Sequence, residues 1–177
     1  KAAVRRIAWG KFLNSGQICI APDYLFVHES RKAEFVRLMA TQLQALYGED
    51  AAQSGAYNRM VNGKHYERVA GYLQDAESRG AKVEIGGQRD AETDFIEPTV
   101  VSGVPEDAQL MQEEIFGPVL PILTFRNLEE PLQFIRSKEK PLALYIYSKS
   151  ESNIRRILQE TRAGGTCINN NDVHFMQ

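Results

Sequence analysis

LALYIYSKSESNIRRILQETRAGGTCIN, the stretch from Leu142 to Asn169, changes character twice along its length. Leu142 to Tyr147 is a near-continuous apolar run, which suits a strand covered on both faces rather than one with a wet side. Ser150 or Ser152 then opens a helix, on which Ile154, Ile157 and Leu158 share one face. Gly164-Gly165 ends that helix, and Thr166 to Asn169 returns to an extended pattern. The order is strand, helix, strand.

The same alternation extends toward the N-terminus. Val119–Phe125 is an extended run followed by a helical segment, Leu128–Arg136, and Phe95–Val101 reads as one further extended stretch. Lys82–Ile85 is a short strand closed by Gly86-Gly87. Before it lies an amphipathic helix, Lys64–Ser78, with Val69, Tyr72, Leu73 and Ala76 on its apolar face and Gly80 beyond its end. Residues 49–63 are polar and irregular. Ser30 is placed to cap a helix whose stripe is Phe35, Leu38, Met39, Leu43 and Leu46, ending at Gly48. Tyr24–Val27 is a short β-rich run ahead of it. Residues 2–15 form a first helix with Val4, Ile7, Ala8 and Phe12 on one face, stopped by Gly16. Helices alternating with short apolar strands predict an α/β fold, a three-layer sandwich with a largely parallel sheet. No repeat or linker divides the chain, so 1–177 is expected to form a single domain.

The chain has 177 residues, with 21 Lys+Arg against 23 Asp+Glu and a formal charge of −2. That balance argues against a nucleic-acid platform. No apolar run approaches the roughly 20 residues a spanning helix needs, so neither nucleic acid nor membrane is expected as a partner. Cys19 and Cys167 do not make a disulfide framework, and no Asn-x-Ser/Thr acceptor occurs. A reducing, cytoplasmic setting is the expectation. There is no G-x-G-x-x-G and no phosphate-cradling G-x-x-x-x-G-K-[ST]. His28, His65 and His174 stand apart from each other and from the cysteines, so no metal site is expected.

Two Gly/Pro-marked segments remain. In Asn14-Ser15-Gly16-Gln17-Ile18-Cys19-Ile20-Ala21-Pro22-Asp23-Tyr24 the cysteine follows a helix break. A thiol beside such a turn can be reached by substrate and can collect backbone N–H groups, which lower its pKa and stabilise an oxyanion. Cys167, inside a strand, reads as core filler. In Met111-Gln112-Glu113-Glu114-Ile115-Phe116-Gly117-Pro118-Val119 a carboxylate is a bidentate acceptor suited to vicinal hydroxyls. The aromatic beside it offers a face to a flat ring. Taken cold, a lone cysteine such as Cys19 is usually a small buried hydrophobe, and the acidic pair could simply be a solvated end.

N-S-G-Q-I-C with A-P-D-Y after it, together with Q-E-E-I-F-G-P, resembles the catalytic domain of the aldehyde dehydrogenase superfamily. The continuations Ile96-Glu97-Pro98-Thr99-Val100 and Lys140-Pro141-Leu142-Ala143-Leu144-Tyr145 are similar to its class 3-like branch. The resemblance runs from Lys1 to about His174. It implies that Cys19 is the nucleophile, forming a thiohemiacetal and then a thioester with an aldehyde. It implies NAD or NADP as cofactor, Glu114 on the nicotinamide ribose and Phe116 beside it. More loosely, it implies His65 and Arg68 on the ribose and phosphate side. It also implies a homodimer or tetramer.

The departures are the general-base glutamate, the nucleotide-binding domain, the second oxyanion donor and a P-F-G-G segment, none of which these residues contain. The expectation is a catalytic lobe truncated at both ends and inactive as a dehydrogenase by itself. The alternatives are a Cys19-dependent thioester hydrolase or acyl transferase, and a non-catalytic oligomerisation module.

Overall fold

Val119 and Leu123 pack on one face of the strand Val119–Phe125, while Leu120 and Ile122 pack on the other. That period-2 division is the centre of the fold, because a strand buried on both faces needs a helical layer on each. The computed structural model describes residues 1–171; His174 lies outside the described residues.

In chain order, α1 (Ala2–Phe12), β1 (Leu25–His28) and α2 (Lys32–Tyr47) come first. α3 (Gly63–Ser78), β2 (Lys82–Ile85), β3 (Arg89–Asp90), β4 (Phe95–Ile96) and β5 (Thr99–Ser102) follow. A one-turn α4 (Gln109–Gln112) precedes β6 (Val119–Phe125). α5 (Glu129–Ser137), β7 (Ala143–Ile146), α6 (Glu151–Glu160) and β8 (Gly165–Ile168) end the series.

The main sheet has the order β1-β6-β5-β2, with β1, β6 and β5 parallel and β2 antiparallel at the edge. On one face Ile7, Phe12, Phe35, Met39 and Leu43 from α1 and α2 cover Val27, Val100, Leu120 and Ile122. On the other, Val69, Leu73 and Ala76 of α3 with Leu110 and Met111 of α4 cover Val101 and Val119. The expected three layers are therefore present.

Four local expectations change. The first helix stops at Phe12 rather than Ser15, because Asn14 and Ser15 are left-handed. Phe95–Val101 is two strands: Pro98, with no N–H for a ladder, breaks it, and β4 folds back on β3 while β5 joins the main sheet. Ser30 lies in a 3-10 turn, its backbone N–H donating to His28 Nδ1, and α2 starts one residue after Arg31. β7 and β8 pair in parallel with each other as a separate two-stranded sheet, not as members of the main one. Ser150 caps α6 as expected, accepting from Asn153 N at 3.3 Å.

Candidate active site

After Phe12 the chain leaves the helix through Leu13 and takes three left-handed residues in succession: Asn14 (φ 50°), Ser15 (φ 54°) and Gly16 (φ 70°). For residues with a Cβ that conformation costs roughly 1–2 kcal/mol each, so something must hold it. The Ser15 hydroxyl, almost fully buried, donates to Asn58 O at 2.6 Å, and Asn58 Nδ2 donates to Asn14 Oδ1 at 2.8 Å. Gln17 Nε2 donates to Asn14 O (3.0 Å) and Arg59 O (3.1 Å), and its Oε1 accepts from Val61 N at 2.9 Å. The irregular segment before α3 is thus the clamp that sets the loop. Ile18 to Ala21 then closes a tight turn, Ala21 N donating to Ile18 O at 3.0 Å, with an exposed Cys19 at its second position. Tyr145 Oη of β7 donates to Ile20 O at 2.7 Å and pins the far side of that turn.

The Glu113–Pro118 segment passes across this loop at backbone contact. A Cβ on Gly16 would overlap the Gly117 carbonyl, coming within 2.7 Å of its carbon, and a Cβ on Gly117 would lie 2.8 Å from Val69 Cγ2. Both crossing residues must be glycine for the approach to exist. Phe116 is itself left-handed at φ 42°. Arg68 of α3 holds the turn, its guanidinium donating to the carbonyl oxygens of Glu114 (2.9 Å), Ile115 (2.9 Å) and Phe116 (3.4 Å). Ile115 N donates to Asp23 Oδ1 at 3.1 Å, and Thr99 N to Pro118 O at 2.9 Å. Arg68, expected on the ribose and phosphate side of a cofactor, thus also donates to the turn that carries Glu114.

Cys19 and Glu114 both line a cleft of about 990 Å³, together with Asp23, Pro22 and the apolar side chains Ile20, Leu25, Leu142 and Leu144. Phe116, His65 and Arg68 do not line it. His65 is in the first turn of α3, its backbone N–H donating to the Asn62 side-chain cap. Burial pushes the Asp23 carboxyl above its ordinary pKa, against the pull of Lys11. Lys11 is only 1% exposed, and burial draws its ammonium down to about 8 despite Asp23 and Glu114. Asp23 and Lys11 received no role from sequence reasoning. Lys11 had a signal: it continues the Val4, Ile7, Ala8 spacing onto the apolar face.

The Glu114 carboxylate offers two acceptors, which suits a pair of vicinal hydroxyls. The Glu114 carboxylate is exposed, accepts no hydrogen bond among the described residues, and shares the cleft with the thiol. Among the described residues no group of three His, Cys, Asp or Glu side chains is placed to hold a metal ion.

Residues 1–177 match the model of the aldehyde dehydrogenase family. The chain is 47% identical to the dimeric NADP-preferring aldehyde dehydrogenase of Bos taurus, over 98% of this chain and 70% of that one. It is equally 47% identical to the enzyme of that name from Canis lupus familiaris, over 97% of this chain but 37% of the relative. Substrate-bound Staphylococcus aureus AldH superposes with a TM-score of 0.94 at 42% identity, covering all of this chain and 38% of that structure. The chain thus spans little more than a third of the latter two.

Proposed function

The chain belongs to the aldehyde dehydrogenase family, and on that premise we propose that it is the nucleophile-bearing lobe of an enzyme oxidising an aldehyde to a carboxylic acid with NAD or NADP. The observation that carries this is the shared cleft: an exposed thiol and an exposed carboxylate on two backbones locked together at Gly16 and Gly117.

Cys19 attacks the aldehyde carbon, and the carbonyl oxygen takes up the negative charge of the new thiohemiacetal. The tight Ile18–Ala21 turn holds the sulfur at the cleft wall, so attack needs little reorganisation. A bound nicotinamide cofactor would supply the hydride acceptor for this carbon. Glu114 would hold it through vicinal ribose hydroxyls, for which a carboxylate offers two acceptors. The thioester left on Cys19 is cleaved by water, releasing the acid and restoring the thiol. That last step needs a base to take the water's proton, and the family's base segment is not in these residues. Residues 1–177 alone are therefore expected to show no steady turnover. An exposed reduced nucleophile suits the cytoplasm, and the dimeric relatives favour a homodimer.

The test is Cys19→Ser in the enzyme carrying this segment. Loss of both NAD(P)H production and nitrophenyl acetate hydrolysis supports the reading. Esterase activity without any NAD(P)-linked oxidation in the unmodified enzyme would replace it with a thioester hydrolase.

A further inference from the structure

β7 and β1 belong to different sheets, yet residues of both line the cleft that holds Cys19 and Glu114. The β7–β8 pair reaches the segment running from α1 to the Cys19 turn at two points. Beyond β8, Asn171 is buried, and its Nδ2 donates to Arg6 O of α1 at 2.9 Å. From β7, Tyr145 Oη donates to Ile20 O at 2.7 Å. The strand that carries Tyr145 is itself braced, with Gly165 N donating to Leu142 O at 2.9 Å and Asn169 N to Ile146 O at 2.7 Å. The tyrosine hydroxyl therefore bridges from a fixed strand to the turn on which the thiol stands.

The Ile20–Ala21 peptide is planar, so its C=O and its N–H rotate together or not at all. Its N–H closes the turn on Ile18 O at 3.0 Å, and its C=O takes the Tyr145 hydroxyl. Rotation of that one plane breaks both bonds and opens the turn. On the other side of the thiol, the Gln17 side chain is bonded to Arg59 O and Val61 N. Cys19 is exposed and lies in sequence between these two anchors. Ile20 is buried, so losing its hydroxyl donor is unfavourable for the turn. We propose that Tyr145 is a positioning residue for the thiol: its hydroxyl locks the Ile20–Ala21 peptide and so holds Cys19 in place to attack a carbonyl carbon. This rests on the nucleophile role assigned to Cys19 above. The Glu114 turn has its own supports in Arg68 and Asp23, so cofactor binding does not depend on Tyr145.

The experiment replaces Tyr145 in the enzyme carrying this segment, first by Phe, which keeps the ring and loses the donor. A second variant carries 4-aminophenylalanine there, whose amine restores a donor. The measurements are kcat and KM for cofactor-free nitrophenyl acetate hydrolysis, the rate of Cys19 alkylation by iodoacetamide, and NADP⁺ affinity by fluorescence titration. Tyr145→Phe is expected to lower kcat and the alkylation rate about tenfold, the worth of one good hydrogen bond, with KM and NADP⁺ affinity within about twofold. The amine variant recovers most of the loss. Unchanged kcat and alkylation in Tyr145→Phe overturns the role of Tyr145 alone. Ester hydrolysis that survives Cys19→Ser overturns the nucleophile role of Cys19, and that of Tyr145 with it. Failure of Tyr145→Phe to fold, a parallel fall in NADP⁺ affinity, or no recovery with the amine also overturns the proposal, marking the tyrosine as a general support of the cleft.

Discussion

Gly16 and Gly117 cross with no space for a side chain on either. The Gly16 Cβ position overlaps the Gly117 carbonyl, and the Gly117 Cβ position lies 2.8 and 2.9 Å from the two Val69 methyls. Cys19 and Glu114 thereby share a wall although they are far apart in sequence.

Gly16→Ala should separate those two walls. The substitution puts a Cβ at φ 70° and drives it against backbone, which cannot rotate away as a flexible side chain can. The left-handed penalty alone is about 1 kcal/mol, and displacement of the 113–118 turn adds to it. A drop in the urea midpoint with at least a tenfold loss of Cys19-dependent ester hydrolysis is expected. Normal hydrolysis in a stable Gly16→Ala protein would show that the crossing does not set the thiol.

Arg68→Lys tests the turn from its other side. A guanidinium reaches three carbonyl oxygens at once because its donors lie in a fixed fork, whereas an ammonium is a point charge on a flexible stem. Each good hydrogen bond to a charged donor contributes roughly 1.5–3 kcal/mol. Dinucleotide affinity should fall while thiol alkylation at Cys19 stays nearly unchanged. Equal affinity in Arg68→Lys would mean that the turn holds its shape through Asp23 and Thr99 alone.

How far the sequence anticipated this arrangement depends on the range of the interactions. Val69, Leu73 and Ala76 recur at helical spacing, and β7, α6 and β8 follow one another at the expected places, since each depends on neighbours a few residues away. The break at Pro98 was legible as chemistry but lay within a stretch whose two ends are both β-rich. Nothing local announces that Asn14 and Ser15 turn left-handed, because their partner is Asn58. Nor does a lone arginine on an amphipathic helix reveal that it donates to backbone carbonyls of the Glu114 turn. Cys19 and Glu114 were found through motif resemblance, and only the structure puts them on one cleft.

Glu129, Arg136, Arg156 and Glu160 form a closed ring of opposite charges that ties α5 to α6. Arg136 reaches Glu129 at 2.6 Å, Arg156 reaches Glu160 at 2.7 Å, and Arg136–Glu160 and Arg156–Glu129 complete it. Hydrogen bonds from Arg136 and Arg156 hold the Glu129 carboxyl below its ordinary pKa, and the same arginines, Arg156 first, do so for Glu160. A carboxylate pKa depressed by folding adds stability above the ordinary carboxylate range, which is lost as pH falls through the depressed value. Each of these side chains is about a third or more exposed, so water and salt screen the ring. Glu129→Gln should lower the urea midpoint slightly at low salt and not at about 1 M salt. An equal shift at both would assign the effect to packing.

Lys11→Met carries the reverse expectation for stability. The lysine is drawn from 10.5 down to about 8 in the folded chain, chiefly by burial. Between those values the unfolded chain binds more protons than the folded one, so this group makes stability rise as pH climbs from about 8 to 10.5. Below pH 8 both states carry the charge, and the folded state bears the full unfavourable burial. At roughly 1.4 kcal/mol per pKa unit that amounts to about 3–4 kcal/mol. Methionine fills nearly the same volume without a charge. Lys11→Met should therefore unfold at a higher urea concentration than the parent at pH 7, and the gap should close toward pH 10.5. The comparison between the two proteins cancels the tyrosines that titrate in the same range. A methionine variant less stable than the parent at pH 7, or a gap that does not change with pH, would mean that the ammonium is compensated where it lies.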